Sequence, residues 1–171
     1  MPNASLAPIP DISILDSPLP ESQPDAPAAL RVVEDHLKDT LSLAGNKVLL
    51  LEDDAAFKEI MTDFLQESGF EVMAVQNGVE GVHQVLASDF EVILCDMMMP
   101  TLPGDMFFRA VERMRPHLCD RFVFMTGHRG NPKVNEFINS VCGTVLTKPF
   151  HVDDLLEMIA FVRLRTTLMA A

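Results

Sequence analysis

Five short apolar runs alternate with stretches of helical periodicity between residues 47 and 165, and this alternation constrains the fold more than any other feature of the chain. The strand candidates are Val48–Leu51, Phe70–Val75, Val92–Cys95, Arg121–Met125 and Thr144–Leu146, of which Val48–Leu51 and Val92–Cys95 are apolar throughout. Runs that are apolar throughout belong to strands buried on both faces, as in a parallel sheet covered by helices. The segments between them supply those helices. Phe57, Ile60, Met61, Phe64 and Leu65 recur at i, i+3, i+4 spacing and stop at Gly69. After the turn Gln76-Asn77-Gly78, a helix to Leu86 is expected to point Val79, Val82, Val85 and Leu86 inward. Gly104–Met114 reads as a third helix. Asn131-Pro132 opens a short fourth helix through Ile138, with Asn as cap and Pro in the first turn. Asp153 to about Arg165 is the last, carrying Leu155, Leu156, Ile159, Val162 and Leu164.

The predicted class is α/β, a (βα)5 unit with a doubly wound five-stranded parallel sheet. Right-handed crossovers make the flavodoxin-like strand order 2-1-3-4-5 the natural one at this size. Ligands of such sheets bind outside the carboxyl ends of the strands, where the order reverses between strands 1 and 3.

The 46 residues before the first strand differ in composition. Seven of the 12 prolines lie in residues 1–27, and no basic residue precedes Arg31. This segment is expected to be a disordered Pro-rich tail, because it cannot bury enough apolar area to offset its ordering entropy. Residues 28–45 read as an amphipathic helix or linker, ended by Gly45-Asn46. Leu30, Val33, Leu37 and Leu41 share one face, with Arg31, Glu34, Asp35, Lys38 and Asp39 on the others. Packing on its own domain, a homodimer through residues 28–43, and a linker role all remain open for it. Residues 46–171 form the folded domain, with no output domain expected after the last helix.

Charge and cysteine content narrow the function classes. Thirteen Lys and Arg against 25 Asp and Glu give a net charge of −12, which argues against a nucleic-acid partner. No apolar run is long enough to span a membrane. Cys95, Cys119 and Cys142 form no C-x-x-C pair and no zinc spacing, and read as reduced thiols of a cytoplasmic protein.

The strand ends carry the chemistry. Strand 1 ends in Glu52-Asp53-Asp54, strand 3 in Asp96, strand 4 in Thr126 and strand 5 in Lys148-Pro149. Two carboxylates about 5 Å apart repel by roughly 3 kcal/mol at an effective dielectric of 20, so three acids on one edge call for a cation. Oxygen-only ligands with room for water suit Mg²⁺. With the metal in place, Asp96 can act as a nucleophile toward a phosphoryl group, with Lys148 pairing to one oxygen and the Thr126 hydroxyl donating to another. Each residue alone has a plainer role; Asp54, for instance, is expected to be a helix N-cap.

Lys47–Asp54, Leu94-Cys95-Asp96-Met97-Met98-Met99-Pro100, Phe124-Met125-Thr126-Gly127 and Lys148-Pro149-Phe150 together resemble a response-regulator receiver domain of two-component signalling, over about residues 46–166. The separations are 43 residues from Asp53 to Asp96, 30 to Thr126 and 22 to Lys148. The resemblance implies that Asp96 accepts a phosphoryl group from a histidine kinase or histidine phosphotransfer protein. It implies that Glu52, Asp53, Asp96 and the backbone carbonyl of Met98 hold Mg²⁺, that Thr126 and Lys148 serve the phosphoryl group, that Gly127 leaves room beside the site, and that Pro149 follows a cis peptide. Such a domain is a phosphoacceptor rather than an enzyme acting on a separate substrate. Its readout would be an unknown protein partner, through the fourth helix, fifth strand and fifth helix.

The chain departs from that family at several points. The usual aromatic three residues before the lysine is Val145, and the protein contains no tyrosine. Pro103 is added in the loop after Asp96, the fourth helix is short, and Met98 and His128 flank the site. The competing reading is a receiver-like interaction module that never uses phosphorylation. A haloacid-dehalogenase-like phosphatase would need an acid where Met98 stands, and a flavodoxin would need a phosphate loop where the strand 1 acids stand.

Overall fold

The computed structural model describes residues 46–127, 130–141 and 143–170. The expected tail over 1–27, the helix or linker over 28–45, His128 and Cys142 lie outside the described residues.

The parallel strands β1 (Lys47–Leu51), β2 (Glu71–Val75), β3 (Val92–Asp96), β4 (Phe122–Thr126) and β5 (Thr144–Thr147) form one sheet in the order β2-β1-β3-β4-β5. The helices are α1 (Ala55–Glu67), α2 (Gly78–Ala87), α3 (Gly104–Met114), α4 (Pro132–Ser140) and α5 (Val152–Ala170). The fold class and strand order expected from the sequence are those observed. Among the described residues, no helix is long and apolar enough to cross a membrane.

Alternation along the strands divides the core into two layers. Leu49, Leu51, Ile93, Cys95, Phe122 and Phe124 pack with Val85, Phe107, Phe108, Val111, Val134 and Phe137, from α2, α3 and α4. Val48, Leu50, Val92, Leu94, Val123, Met125 and Leu146 pack with Met61, Leu65, Leu155, Ile159 and Val162, from α1 and α5. The central strands β1, β3 and β4 are therefore apolar at every position but one end, Lys47, Asp96 and Thr126, which is why they are legible as runs.

Three expectations need correction. Val79 and Leu86 face solvent, 44% and 53% exposed, while Gly78, Gly81 and Val85 face inward. The glycines set the inward face: a Cβ on Gly78 would lie 2.5 Å from the Leu102 carbonyl oxygen, and one on Gly81 would lie 2.5 Å from Leu51 Cδ2. Counting apolar side chains misses a helix that approaches its neighbours through glycine. A 3-10 turn, Pro116–Arg121, stands before β4 where no element was expected, and it buries Leu118. The last helix runs to Ala170, past the expected end near Arg165, and Leu164 on it is 38% exposed.

Asp89, before β3, gathers Arg115 (Nη2 to Oδ1, 2.6 Å) and His117 (3.0 Å) from the far end of α3 and the 3-10 turn. His117 first, then Arg115 and Arg121, hold its carboxyl below the ordinary range. A lowered folded-state value means that the cluster stabilises the fold above the ordinary carboxylate value, and that this is lost as pH falls through the lower one. Asp89→Asn is expected to lower the urea midpoint at about pH 7 and to match the wild type near about pH 2.

Candidate functional site

The carboxyl ends of β1, β3, β4 and β5 meet at one edge. Glu52 and Asp53 follow β1 directly, and Asp54 caps α1 by accepting from the Phe57 N–H at 3.0 Å, as expected. Asp96 ends β3, where its Oδ1 accepts from the Met98 N–H at 3.0 Å. Thr126 ends β4 and is fully buried, and its carbonyl accepts from the Lys148 N–H at 2.9 Å. That bond fixes the end of β5 beside the end of β4. The Lys148–Pro149 peptide is cis.

Glu52 (1% exposed) and Asp96 (7%) are buried, whereas Asp53 is exposed. One carboxylate oxygen from each of the three can be chosen so that all lie within 4.8 Å of one another. Lys148 bridges the two buried acids, with Nζ donating to Glu52 Oε2 at 2.7 Å and to Asp96 Oδ2 at 2.8 Å. Burial pushes the Glu52 carboxyl up; the Lys148 hydrogen bond opposes this and the Asp96 charge adds to it. Burial works against the Lys148 ammonium, but its bonds to Asp96 and Glu52 outweigh that and hold its value above the ordinary one. One lysine against two buried carboxylates and an adjacent exposed one leaves the edge electronegative.

This donor set fits a hard divalent cation. Every side-chain donor is oxygen, the three acids converge, and the exposed Asp53 leaves the edge open to the waters that Mg²⁺ retains. The Met98 side chain is 46% exposed, and its N–H is committed to Asp96.

The loop beyond Asp96 is held close by Gly104. Its N–H donates to the Met97 carbonyl at 3.2 Å, and a Cβ there would lie 2.5 Å from the Asp96 carbonyl oxygen and 3.0 Å from Met97 Cα. Backbone cannot yield as a side chain can. Gly104→Ala is therefore expected to destabilise the fold by about 1–3 kcal/mol in urea unfolding. Beside Lys148, a Cβ on Gly127 would meet nothing nearer than the Lys148 Cβ at 4.0 Å, consistent with room there.

The sequence marks Phe57 only as a residue of the apolar helical stripe. Its ring lies 4.7 Å from Lys148 Nζ and packs edge-on against Phe150 at 6.0 Å. These rings with Pro149 line a cavity of about 350 Å³ along the lysine. A cation–π contact of this kind steadies the ammonium; Phe57 lies only three residues past Asp54, but its reach to a lysine 91 residues later leaves no sequence signal. Val145 is half-buried on β5, in register with Phe124 on β4.

The sheet order, with three acids and a lysine gathered at its switch point, is a receiver-type arrangement. A family model described as response regulator receiver domain matches residues 48–160, and the chain belongs to that family. It is 29% identical over 114 residues to the response regulator protein FleR of Pseudomonas aeruginosa, a match covering 67% of this chain and 24% of FleR. It is 28% identical over 116 residues to the response regulator receiver protein CpdR of Brucella abortus, covering 66% of this chain and 92% of CpdR. The structure of the chemotaxis response regulator CheY4 of Vibrio cholerae is similar with a TM-score of 0.63 and 28% identity, over 70% of this chain and 99% of that one.

Proposed function

We propose that this domain accepts a phosphoryl group on Asp96 from a phosphohistidine donor, in a step that requires Mg²⁺ held by Glu52, Asp53, Asp96 and the Met98 backbone carbonyl. The observation that carries the reading is the convergence of the three acids with Lys148 bonded to two of them. In transfer, an Asp96 carboxylate oxygen bonds to phosphorus while the phosphorus–nitrogen bond breaks. Its electron pair goes to the imidazole nitrogen, which takes a proton. Bound Mg²⁺ supplies the charge that offsets the transferring oxygens. Lys148 then exchanges a carboxylate partner for a phosphoryl oxygen, and the Thr126 hydroxyl donates to another.

The modified aspartate carries about −1.5 to −2 charge beside Glu52 and Thr126. We infer that this changes affinity for a downstream protein, with the partner surface on α4, β5 and α5. The donor is a histidine kinase or a phosphotransfer protein, and the setting is cytoplasmic. Domain limits of 46–171, with a Pro-rich tail over 1–27 and a helix or linker over 28–45, complete the reading.

Incubation with acetyl phosphate and Mg²⁺ is expected to add one phosphoryl group by intact mass, and EDTA to prevent it. A wild-type chain that gains no adduct under these conditions sinks the proposal. The half-buried Val145, where the family usually carries an aromatic, favours a second reading as a phosphorylation-independent interaction module. Partner binding insensitive to Mg²⁺ and to Asp96→Asn would support that reading instead.

A further inference from the structure

The last three turns of α5 are apolar on two faces. Val162 and Ile159 point into the core, with Arg163 also buried at 5% exposure. On the opposite side, Phe161, Leu164 and Leu168 are 53%, 38% and 69% exposed. At about 100° per residue these three fall within a narrow stripe along one side of the helix. The preceding turns of the same stripe carry Asp154 and Glu157, which are exposed as a surface helix requires. Along this stripe the apolar exposure is therefore confined to one end. That end also projects: 19 helical residues span about 28 Å, against about 17 Å for the five-residue strands.

The described chain begins at this end. Arg163 donates from Nη2 to Asn46 Oδ1 at 3.4 Å and lies over the Phe70 ring at 6.0 Å. Asn46 in turn accepts the Glu71 N–H on its carbonyl at 2.9 Å, so its position is fixed by β2 as well as by α5. The segment immediately upstream, 28–43, carries Leu30, Val33, Leu37 and Leu41 at helical spacing. Three peptide steps from residue 43 reach at most about 11 Å from Asn46, so the segment is tethered within about one helix diameter of this end of α5. An apolar segment is thus tethered beside a surface stripe whose Phe161 ring is faced by the Arg165 guanidinium at 5.8 Å, and the tether holds the two at high effective concentration.

We propose that residues 28–43 form a helix of the same chain that packs its Leu30, Val33, Leu37 and Leu41 face on Phe161, Leu164 and Leu168 of α5. The tether favours this occupant over a second copy, because the segment cannot leave the vicinity of the stripe. It also places the segment beside one of the surfaces proposed above for a partner, so its packing there would compete for part of α5.

Hydrogen–deuterium exchange on the full chain tests this without relying on activity. Amides of 30–43 are expected to exchange about tenfold or more slowly than an unstructured chain. In Phe161→Asp and in Leu37→Asp, that protection is expected to vanish while amides of β1 and β3 stay protected, which shows that the domain still folds. Three results overturn the proposal: free exchange of 30–43 in the wild type, protection that survives both substitutions, or protection that appears only as concentration rises and sedimentation reports a dimer.

Discussion

Asp96→Asn is expected to abolish the phosphoryl adduct without weakening the fold. An amide oxygen is a poor nucleophile toward phosphorus, and the substitution also removes one carboxylate from the cation site. The Asn carbonyl can still accept from the Met98 N–H, which the wild-type Oδ1 does at 3.0 Å. Two energetic effects oppose each other. Loss of the charged contact to Lys148, 2.8 Å in the wild type, costs about 1–3 kcal/mol. Removing one of two buried acids relieves a repulsion of up to roughly 3 kcal/mol at an effective dielectric of 20. Lys148 keeps Glu52 at 2.7 Å, and that becomes a one-to-one pair. The urea midpoint is therefore expected to hold or rise, followed by far-ultraviolet circular dichroism because the chain contains no Trp and no Tyr. A variant that loses the adduct because it unfolds would contradict this account of the site's electrostatics.

Phe124→Ala is expected to be the most destabilising single truncation near the site, by about 3–5 kcal/mol. Phe124 is fully buried on β4, two residues before Thr126. Its ring sits 5.6 Å from Phe108, 5.3 Å from Phe122 and 5.2 Å from Phe137, two of them edge-on. It also fills space up to the backbone of the neighbouring strand entry, since a Cβ on Gly143 would lie 2.4 Å from Phe124 Cε2. The backbone there leaves little freedom to collapse into the void, so the cavity cost adds to the lost transfer free energy. Stabilities of single domains are of order 5–15 kcal/mol, so the loss is a large share of the total. A loss below about 1 kcal/mol in urea unfolding would mean that the aromatic cluster repacks freely, contrary to the packing described.

The sheet was legible because its physics is one-dimensional: a strand buried on both faces has no choice but to be apolar throughout. The edge residues were legible for the converse reason, since charged groups that end apolar runs have one place to go in a doubly wound sheet. Glu52, Asp53, Asp96, Thr126 and Lys148 do gather there, and Asp54 caps α1. What escaped was set by contacts across the chain. Val79 and Leu86 lost the inward face of α2 to Gly78 and Gly81, whose advantage is the absence of a side chain. Phe57 stands over Lys148 because α1 returns across the edge, 91 residues earlier in the chain. The sharing of Lys148 between Glu52 and Asp96 is likewise a matter of three-dimensional reach. The end of α5 escaped because its last three turns carry apolar residues on both sides, which blurs the periodicity that would have marked its extent.

The central claim is that Asp96 receives a phosphoryl group from a phosphohistidine. Phosphotransfer profiling measures it most directly, with radiolabelled histidine kinases and phosphotransfer proteins presented in turn to the full chain and to Asp96→Asn in Mg²⁺. The account predicts rapid transfer from a cognate donor to the wild type and none to the variant. Label appearing equally on Asp96→Asn, or no transfer from any donor to a wild type that also resists acetyl phosphate, would contradict it.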